Sequence, residues 1–288
     1  MNLVLLCKWR NHRKALEILA ALREQHLPVR GIVALERRET LPSFSEIVRK
    51  VYYRLQERNG PQKSSVIREG SQKPVSVPSP SFAVNGKPYL TNPINHDTFA
   101  ATTPQQANQI YKSVEEYART HGIPLVAVPD LNGVACVAAL QKFQTDLLLL
   151  GGTPIIRANI LAVPRVGTLN VHMAWLPGIR GMNVAEWSVY CNAPVAVTVH
   201  FVDAGVDTGA VLFREQIDIS ECRSIAALRQ KLSAQQHLAL ARATRLFIDR
   251  QIQPEAQAKT PAKQYYIMHE RLKQVVERKL LREHGKTN

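Results

Sequence analysis

The chain has 288 residues, 45% of them hydrophobic, which is enough to bury a large core and excludes global disorder. Its apolar runs are too short to span a bilayer, no basic export segment precedes the first of them, and the four cysteines form no close pair, so we expect a cytoplasmic protein with reduced thiols and no membrane contact. The formal net charge of +14 is concentrated in residues 1–90 and 221–288, whereas residues 91–220 are slightly acidic, a distribution that favours an anionic partner.

The first predicted elements are a strand, a helix and a second strand. Residues 2–6 are apolar, residues 15–27 repeat apolar side chains at helical spacing, and residues 29–35 return to strand composition. A β-α-β start of this kind predicts a parallel sheet with a right-handed crossover.

The segment after the first strand is basic and lacks glycine. Residues 7–13 therefore cannot bind a phosphate through the backbone of a Gly-rich loop. The side chains of Lys8, Arg10 and Arg13 are candidates for binding an anionic substrate instead. An ordinary solvated helix face is the alternative interpretation of these charges.

Residues 40–100 interrupt the regular pattern. Residues 45–58 have helical spacing, but residues 59–93 are rich in proline and serine and are typical of a long surface excursion. We interpret residues 40–100 as an insertion that shapes the acceptor side of a cleft.

Helices and strands alternate again after residue 103. Residues 103–106 have the composition of a helix N-terminus, which predicts a helix to about His121. Four further elements are predicted: strand 125–128, helix 133–143, strand 146–150 and a short helix at 155–162. Gly151 and Gly152 follow the second of these strands, at the carboxyl edge where open α/β sheets bind ligands.

A predicted strand at residues 168–172 carries two polar side chains on one face. Asn170 and His172 are two residues apart, so both leave the same side of the strand. A Leu-Pro-Gly turn at 176–178 ends this segment, and residues 180–181 are expected to begin a second turn. An amide and a titratable imidazole therefore lie side by side at the mouth of a loop.

The remaining elements flank a second, acidic loop at residues 202–209. They are predicted as helix 183–190, strands 195–202 and 210–217, helix 224–250, a polar linker at 251–263 and a final helix at 265–282. Asp207, Thr208 and Gly209 close the acidic loop.

Three motifs in order, Asn170-x-His172, the Leu-Pro…Arg-Gly segment at 176–181 and the Asp-Thr-Gly at 207–209, resemble the folate-dependent formyltransferases. The resemblance covers about residues 125–219 well. It implies an α/β fold with a Rossmann-like, mostly parallel sheet, helices on both faces and a helical C-terminal extension. It also implies 10-formyltetrahydrofolate as the co-substrate and no metal.

The domain organisation follows from the same resemblance. Residues 1–250 are expected to be the formyltransferase catalytic domain, including the insertion at 40–100. Residues 251–288 are expected to be a linker and a C-terminal helix.

The resemblance implies that Asn170, His172 and Asp207 are the catalytic group. Formyl transfer needs an unprotonated amine, a stabilised oxyanion, and movement of a proton from the attacking nitrogen to the leaving nitrogen. The amide of Asn170 can donate to the oxyanion, and His172 can donate to it or carry a proton. Asp207 can orient or charge the imidazole, or accept the amine proton through a water. The sequence leaves open which of the three moves the proton.

A folate pocket and an acceptor contact are further implications of the resemblance. The residues that would line the folate lie around the two glycines and in the acidic loop: Gly151, Gly152, Ile156, Leu161, Val202, Asp203, Ala204 and Gly205. Alternatively, the two glycines form only a tight strand-to-helix connection. Arg180 is expected either to bind the substrate or to form a structural salt bridge.

A metal site is a competing interpretation of the polar residues. His172, His200, Asp203 and Asp207 have side chains that can bind a metal ion. The family that the motifs resemble uses no metal, so we expect none. A serine hydrolase is disfavoured because no G-x-S-x-G motif occurs.

The acceptor amine is predicted largely by elimination. The resemblance leads us to expect a barrel domain in an initiator-tRNA formylating enzyme, a regulatory domain in a formyltetrahydrofolate hydrolase and a Gly-rich phosphate loop in a phosphoribosylglycinamide formyltransferase. We expect none of these in residues 251–288, 1–40 and 7–13, respectively. A small anionic amine, such as a nucleotide-linked amino sugar, is therefore favoured. The phosphoribosylglycinamide and methionyl-tRNA formyltransferases are the alternatives.

An interpretation from another class is a non-enzymatic, basic nucleic-acid-binding protein. The net charge of +14 supports it, but no nucleic-acid-binding motif accompanies the basic segments. We therefore expect a reduced folate and a small amine as partners, and make no prediction of the oligomeric state.

Overall fold

The computed structural model describes residues 1–8, 12–36, 107, 109–258 and 263–282. The helix predicted at 45–58, the insertion predicted at 40–100 and the side chain of Arg10 lie outside these residues. No described helix has the length and apolar composition that a membrane span requires.

A seven-stranded sheet forms the centre of the described structure. Its strands are β1 (Leu3–Cys7), β2 (Val29–Leu35), β3 (Leu125–Val128), β4 (Leu147–Gly151), β5 (Gly167–His172), β7 (Ala196–Phe201) and β8 (Val211–Gln216). The order across the sheet is β3-β2-β1-β4-β5-β7-β8. Neighbours from β3 to β5 are parallel, whereas β7 is antiparallel to β5 and β8 is antiparallel to β7. This confirms the predicted, mostly parallel α/β sheet.

The central strands are apolar on both faces because helices cover both. All five residues of β1 and of β4 are buried, as expected for parallel strands between two helical layers. Along β1, Leu3 and Leu5 belong to one hydrophobic cluster, and Val4 and Leu6 belong to the other. The alternation of side chains along a strand therefore divides the core into two layers.

Seven helices lie within the described residues: α1 (His12–Glu24), α2 (Val114–Thr120), α3 (Val134–Lys142), α4 (Ala158–Leu161), α5 (Val184–Tyr190), α6 (Ile225–Ile248) and α7 (Glu270–Arg282). The first, second and sixth of these pack into the larger apolar cluster, together with the C-terminal helix α7. Helices α3 and α4 supply the smaller cluster on the opposite face. Helices on both faces and a helical C-terminus agree with the predicted fold class.

The helix predicted from residue 103 to about His121 is interrupted in its described part. Residues 111–113 are not helical, and α2 begins after Ser113, whose Oγ accepts a hydrogen bond of 3.2 Å from the backbone N–H of Glu116. The Glu116 carboxylate in turn accepts from the N–H of Lys112 at 2.7 Å. These side chains satisfy backbone donors that a continuous helix would satisfy by itself, so they start a new helix.

Two predictions near the C-terminus are corrected by a second, two-stranded sheet. Strand β6 (Ile179–Gly181) pairs in parallel with β9 (Lys263–Tyr265), so residues 180–181 form a strand where a turn was predicted. The same strand includes Lys263, predicted as the end of the linker, and Tyr265, predicted as the first residue of the final helix, so that this helix begins only at Glu270. Gly181 has a φ of 102°, and a Cβ there would collide with the carbonyl oxygen of Tyr265, so the close approach of the two strands requires glycine.

Candidate active site

The centre of the candidate site is formed where β5 and β7 lie side by side. Their antiparallel register places Asn170 directly opposite His200. Since His172 is two residues from Asn170, all three side chains lie on the same face of the sheet. The amide nitrogen Nδ2 of Asn170 is 3.3 Å from Nε2 of His200, and the rings of His172 and His200 are perpendicular with centroids 6.4 Å apart.

His200 is held as a neutral imidazole. Its Nδ1 lies 2.8 Å from the carbonyl oxygen of Phe201, which can only accept, so this nitrogen carries a proton. The other nitrogen, Nε2, is then free to accept from the amide of Asn170. Burial lowers the pKa of His200 below its ordinary value, and the nearby charge of Asp207 opposes that effect only in part. Asn170 thus uses one of its two amide hydrogens on His200 and keeps the second.

His172 and Asp207 form a close, nearly buried pair. The Nε2 of His172 donates to the carbonyl oxygen of Ile179 at 3.0 Å, and its Nδ1 lies 3.5 Å from Oδ2 of Asp207. Because Nε2 donates to a carbonyl oxygen, Nδ1 is the ring nitrogen that faces the carboxylate. Oδ1 of the same carboxylate is 3.7 Å from Nε2 of His200. Asp207 therefore lies between the two imidazoles.

The loop that carries Asp207 is fixed by several independent contacts. Asp207 has a φ of 54°, in the left-handed region that aspartate adopts more readily than most residues. The N–H of Gly181 donates to its Oδ2 at 3.1 Å. The side-chain amide of Gln257 donates to the carbonyl oxygens of Asp207 and Gly209, at 2.9 and 2.7 Å. A Cβ at Gly209 would collide with the carbonyl oxygen of Phe201, so glycine is required where the loop returns to the sheet.

The side chain of Asp203 connects the beginning of the acidic loop to its end by hydrogen bonds. Its Oδ1 accepts from the backbone N–H of Gly205 at 3.0 Å and from the hydroxyl of Thr208 at 2.5 Å. Ala204 and Gly205 lie between these contacts and are exposed. The first carboxylate of the loop therefore stabilises its shape, and the second faces the histidines.

Several of the residues predicted to line the folate lie at the end of β4 or in the smaller apolar cluster. Gly151 ends β4, and Gly152 follows it with a φ of 75°. Ile156, Leu161 and Val202 belong to one apolar cluster, that of α3 and α4. The structure therefore places the glycine pair at the end of the strand next to β5 and the three apolar residues in one cluster, and their contact with a folate stays a prediction.

The residues predicted to bind the acceptor are dispersed. Lys8 is half-buried directly after β1, which is separated from β5 by β4, and Arg13 is exposed in the first turn of α1. Arg180 is half-buried in β6 and donates from Nη2 to Oε1 of Gln257 at 2.9 Å. This hydrogen bond joins it to an amide, and its predicted contact with the substrate stays a prediction.

Metal binding finds no support in the described part of the chain. Within it, His, Cys, Asp and Glu side chains form no group of three or more that could hold a metal ion. In particular, His172 and His200 each donate a hydrogen bond from one ring nitrogen to a backbone carbonyl oxygen, and Oδ1 of Asp203 accepts a hydrogen bond within its own loop.

Two residues of the site were missed or misinterpreted in the sequence. His200 was considered only as a metal ligand, although the alternation along its strand would have allowed the face of the sheet on which its side chain lies to be predicted. Gln257 lies in a segment that the sequence presents as a polar linker, 50 residues after Asp207. No local pattern indicates that contact.

Comparison with known proteins places this site in a family. The formyl transferase family model matches residues 95–244, just over half of the chain. The methionyl-tRNA formyltransferase of Flavobacterium psychrophilum is 27% identical over 165 residues, which are 55% of this chain and 52% of the relative. That of Agathobacter rectalis is 32% identical over 127 residues, or 43% of this chain and 41% of the relative. The chain thus spans about half the length, or less, of the curated relatives it matches.

Two solved structures share the fold over nearly the whole chain. Glycinamide ribonucleotide transformylase 1 from Symbiobacterium toebii aligns with a TM-score of 0.54 at 16% identity, covering 90% of this chain and 95% of that one. A sugar N-formyltransferase from a Shewanella species aligns with a TM-score of 0.51 at 13% identity, covering 100% of this chain and 91% of that one. Identities this low show the fold alone.

Proposed function

Because the chain belongs to the formyl transferase family, we propose that it transfers a formyl group from 10-formyltetrahydrofolate to an amine. The observation that carries the proposal is the cluster of Asn170, His172, His200 and Asp207 at the edge of β5 and β7. In this reaction the amine nitrogen bonds to the formyl carbon, the bond from that carbon to the folate nitrogen breaks, and one proton passes from the amine to the folate nitrogen.

Asn170 is the proposed donor to the formyl oxygen. Negative charge develops on that oxygen as the amine adds, and a fixed amide donor stabilises it without any change of protonation. One amide hydrogen of Asn170 is used on Nε2 of His200, which fixes the plane of the amide. The second hydrogen is the one available to the substrate.

His172 and Asp207 are the proposed source of positive charge and of proton transfer. Since Nδ1 and Oδ2 face each other, a proton can lie on the ring, where it charges the imidazole beside the developing oxyanion, or on the carboxyl group. In either state Nε2 stays bonded to the carbonyl oxygen of Ile179, so the ring keeps its orientation. Asp207 sets the charge of the ring and can take up the proton that the amine loses.

The folate is proposed to lie against the apolar side of the site. Ile156, Leu161 and Val202 supply an apolar wall there, and the positive φ of Gly152 turns the chain directly after β4. A largely apolar pocket with a few placed polar groups is the usual environment for a cofactor-sized ligand. Asp203, Ala204 and Gly205 are proposed to close the pocket from the acidic loop.

The proposed acceptor is a small anionic amine, with a nucleotide-linked amino sugar as the favoured class. The support is the basic character of residues 1–90 and the cationic side chains of Lys8, Arg10 and Arg13. A methionyl-tRNA acceptor is the second candidate, because curated relatives at 27–32% identity have that name. Either acceptor presents phosphate groups to a basic surface.

A panel of acceptors tests the proposal. The purified chain is incubated with 10-formyltetrahydrofolate and, separately, with amino-sugar nucleotides, glycinamide ribonucleotide or charged initiator tRNA. We expect formylation of an amino-sugar nucleotide, with an apparent affinity that falls as ionic strength rises because salt screens the Lys and Arg contacts. Formylation of glycinamide ribonucleotide alone, or of the tRNA alone, would refute the amino-sugar acceptor, and no transfer to any amine would refute the activity.

A further inference from the structure

The side chain of Gln257 contacts the loop of Asp207 and a neighbouring strand at the same time. Its Nε2 donates to two carbonyl oxygens, of Asp207 at 2.9 Å and of Gly209 at 2.7 Å. Its Oε1 accepts from Nη2 of Arg180 at 2.9 Å. All of the hydrogen-bonding groups of this half-buried amide except the second lone pair of its oxygen are therefore used.

The backbone around Gln257 is itself anchored to the main sheet. Glu255 and Val211 exchange two backbone hydrogen bonds, of 2.8 and 2.7 Å, at the first residue of β8. Gln257 is two residues farther along, so its reach to the acidic loop depends on an ordered stretch of backbone. Sequence reasoning took this stretch for a polar linker.

Strand β6 also contacts the loop that carries Asp207. The N–H of Gly181 donates to Oδ2 of Asp207 at 3.1 Å, and the neighbouring Arg180 holds Gln257. The carboxylate of Asp207 is thus hydrogen-bonded to β6, and its carbonyl oxygen is hydrogen-bonded to Gln257. Strand β6 and Gln257 are in turn connected through Arg180. Because Asp207 adopts the left-handed conformation, these contacts select a backbone geometry that an unrestrained aspartate seldom occupies.

We propose that Gln257 is a positioning residue that holds Asp207 at its distance from His172 and His200, and that Arg180 acts through Gln257 by orienting its amide. The inference deepens the proposed function, on which its catalytic consequences rest. It gives Arg180 a role in the shape of the site, in place of a direct contact with the acceptor.

The first test replaces Gln257 by leucine, which has a similar size but no hydrogen-bonding group. We expect kcat of Gln257→Leu to fall on the order of 10- to 100-fold, because a displaced reacting group costs rate even where binding persists. The KM for 10-formyltetrahydrofolate should change less than about threefold, since the apolar wall is untouched. Gln253→Ala, an exposed glutamine of the same segment, is the matched control and should keep the wild-type kcat. An unchanged kcat in Gln257→Leu overturns the proposal.

A second measurement does not depend on activity. Hydrogen exchange of the Gly181 amide, which donates to Asp207, should become at least about tenfold faster in Gln257→Leu, whereas the amides of buried strand β4 should exchange as in the wild type. Equal acceleration in both places would indicate general destabilisation and would overturn a positioning role. Selective loss at Gly181 in a protein that formylates no acceptor would refute the proposed function and still support the positioning contact.

A double-mutant cycle tests the role of Arg180. If Arg180 acts through Gln257, Arg180→Leu should lower kcat by itself and add less than about twofold in the Gln257→Leu background. Its Nε has no hydrogen-bond partner in the described structure, so a direct contact with an anionic acceptor is the competing result. That result would appear as a raised acceptor KM with kcat unchanged, independent of Gln257, and would overturn the role given to Arg180. If Gln257→Leu fails to fold, Arg180→Leu alone must show the fall in kcat and the faster exchange at Gly181, and their absence overturns the proposal.

Discussion

The two sides of the candidate site are built by different kinds of contact. On the parallel side, beside β4, Ile156 and Leu161 belong to an apolar cluster whose members touch many neighbours. On the antiparallel side, between β5 and β7, Asn170, His172 and Asp207 are placed by polar contacts, among them three of 3.0–3.5 Å. Apolar packing tolerates a small change of shape, whereas a buried polar group that loses its partner is costly. We therefore expect substitutions on the antiparallel side to change turnover and those on the parallel side to change affinity.

The largest effects are expected for Asn170→Ala and His172→Ala. Each should lower kcat by about two to three orders of magnitude, the scale for loss of one oxyanion donor or proton carrier. Steady-state kinetics on the true acceptor measures this, with denaturant unfolding to show that the variants remain folded. If folded His172→Ala kept near-normal turnover, the expectation that the antiparallel side determines turnover and the parallel side determines affinity would be wrong.

Asp207→Asn should have the next largest effect and should also change the pH dependence. The carboxylate raises the pKa of His200 against the opposing effect of burial, so its neutralisation lowers that pKa further. It also removes the negative charge that faces Nδ1 of His172. We expect turnover to fall about 100-fold and any limb of the pH–rate profile that reports His200 to move to lower pH.

Asp203→Asn is the comparison for the pH dependence alone, because Asp203 is itself proposed to border the folate; we expect its pH–rate profile to keep the wild-type shape. Asp203 bonds within its own loop through Oδ1, and an amide oxygen can still accept those hydrogen bonds. Its charge is the weakest of those acting on His200. A full-activity Asp207→Asn with an unchanged profile would reduce Asp207 to a turn residue.

A smaller effect is expected on the pH dependence of stability, because His200 is buried as a neutral imidazole. Burial lowers the pKa of His200, so the unfolded chain binds a proton there more readily than the folded protein does. The stability that this residue contributes is therefore present above the unfolded pKa of about 6.5 and is lost as pH falls below it towards the folded value. The free energy of unfolding should decrease between about pH 7 and pH 5, and less steeply in His200→Gln. Equal slopes in the two proteins would show that His200 is not held neutral.

The site could be predicted from the sequence where its pattern is local. Asn170 and His172 are two residues apart on one strand, and Asp207 occurs in a short motif, so order and spacing were enough to propose them. The apolar strands of the parallel sheet were equally visible, because their composition alone indicates burial. Both kinds of feature are determined within a few residues of the chain.

The parts that sequence could not predict depend on pairing between distant segments. The partnership of Asn170 with His200 follows from the antiparallel register of β5 and β7. Gln257 reaches Asp207 from a segment that pairs with β8 through Glu255. Likewise, Tyr265, predicted as the first residue of the final helix, lies in a strand because it pairs with β6. A polar linker and a helix start carry no local sign of such a partner, so tertiary contacts override the local prediction.

The smallest expected effect tests the apolar side, with two isoleucines as a matched pair. Ile156 is 7% exposed in the segment after Gly152, whereas Ile160 is fully buried in α4 and belongs to the same cluster. Removing one methylene by Ile→Val costs about 0.5–1.5 kcal/mol of stability at either position. Only Ile156 has surface to offer a ligand, so Ile156→Val should also raise the KM for 10-formyltetrahydrofolate by about two- to fivefold with kcat unchanged, on the scale of a methylene lost from an apolar contact. Ile160→Val should lose similar stability and keep the wild-type KM.

If kcat fell in Ile156→Val while KM stayed constant, the apolar side would be setting the geometry of the reacting groups, and the division between a side for affinity and a side for turnover would be wrong.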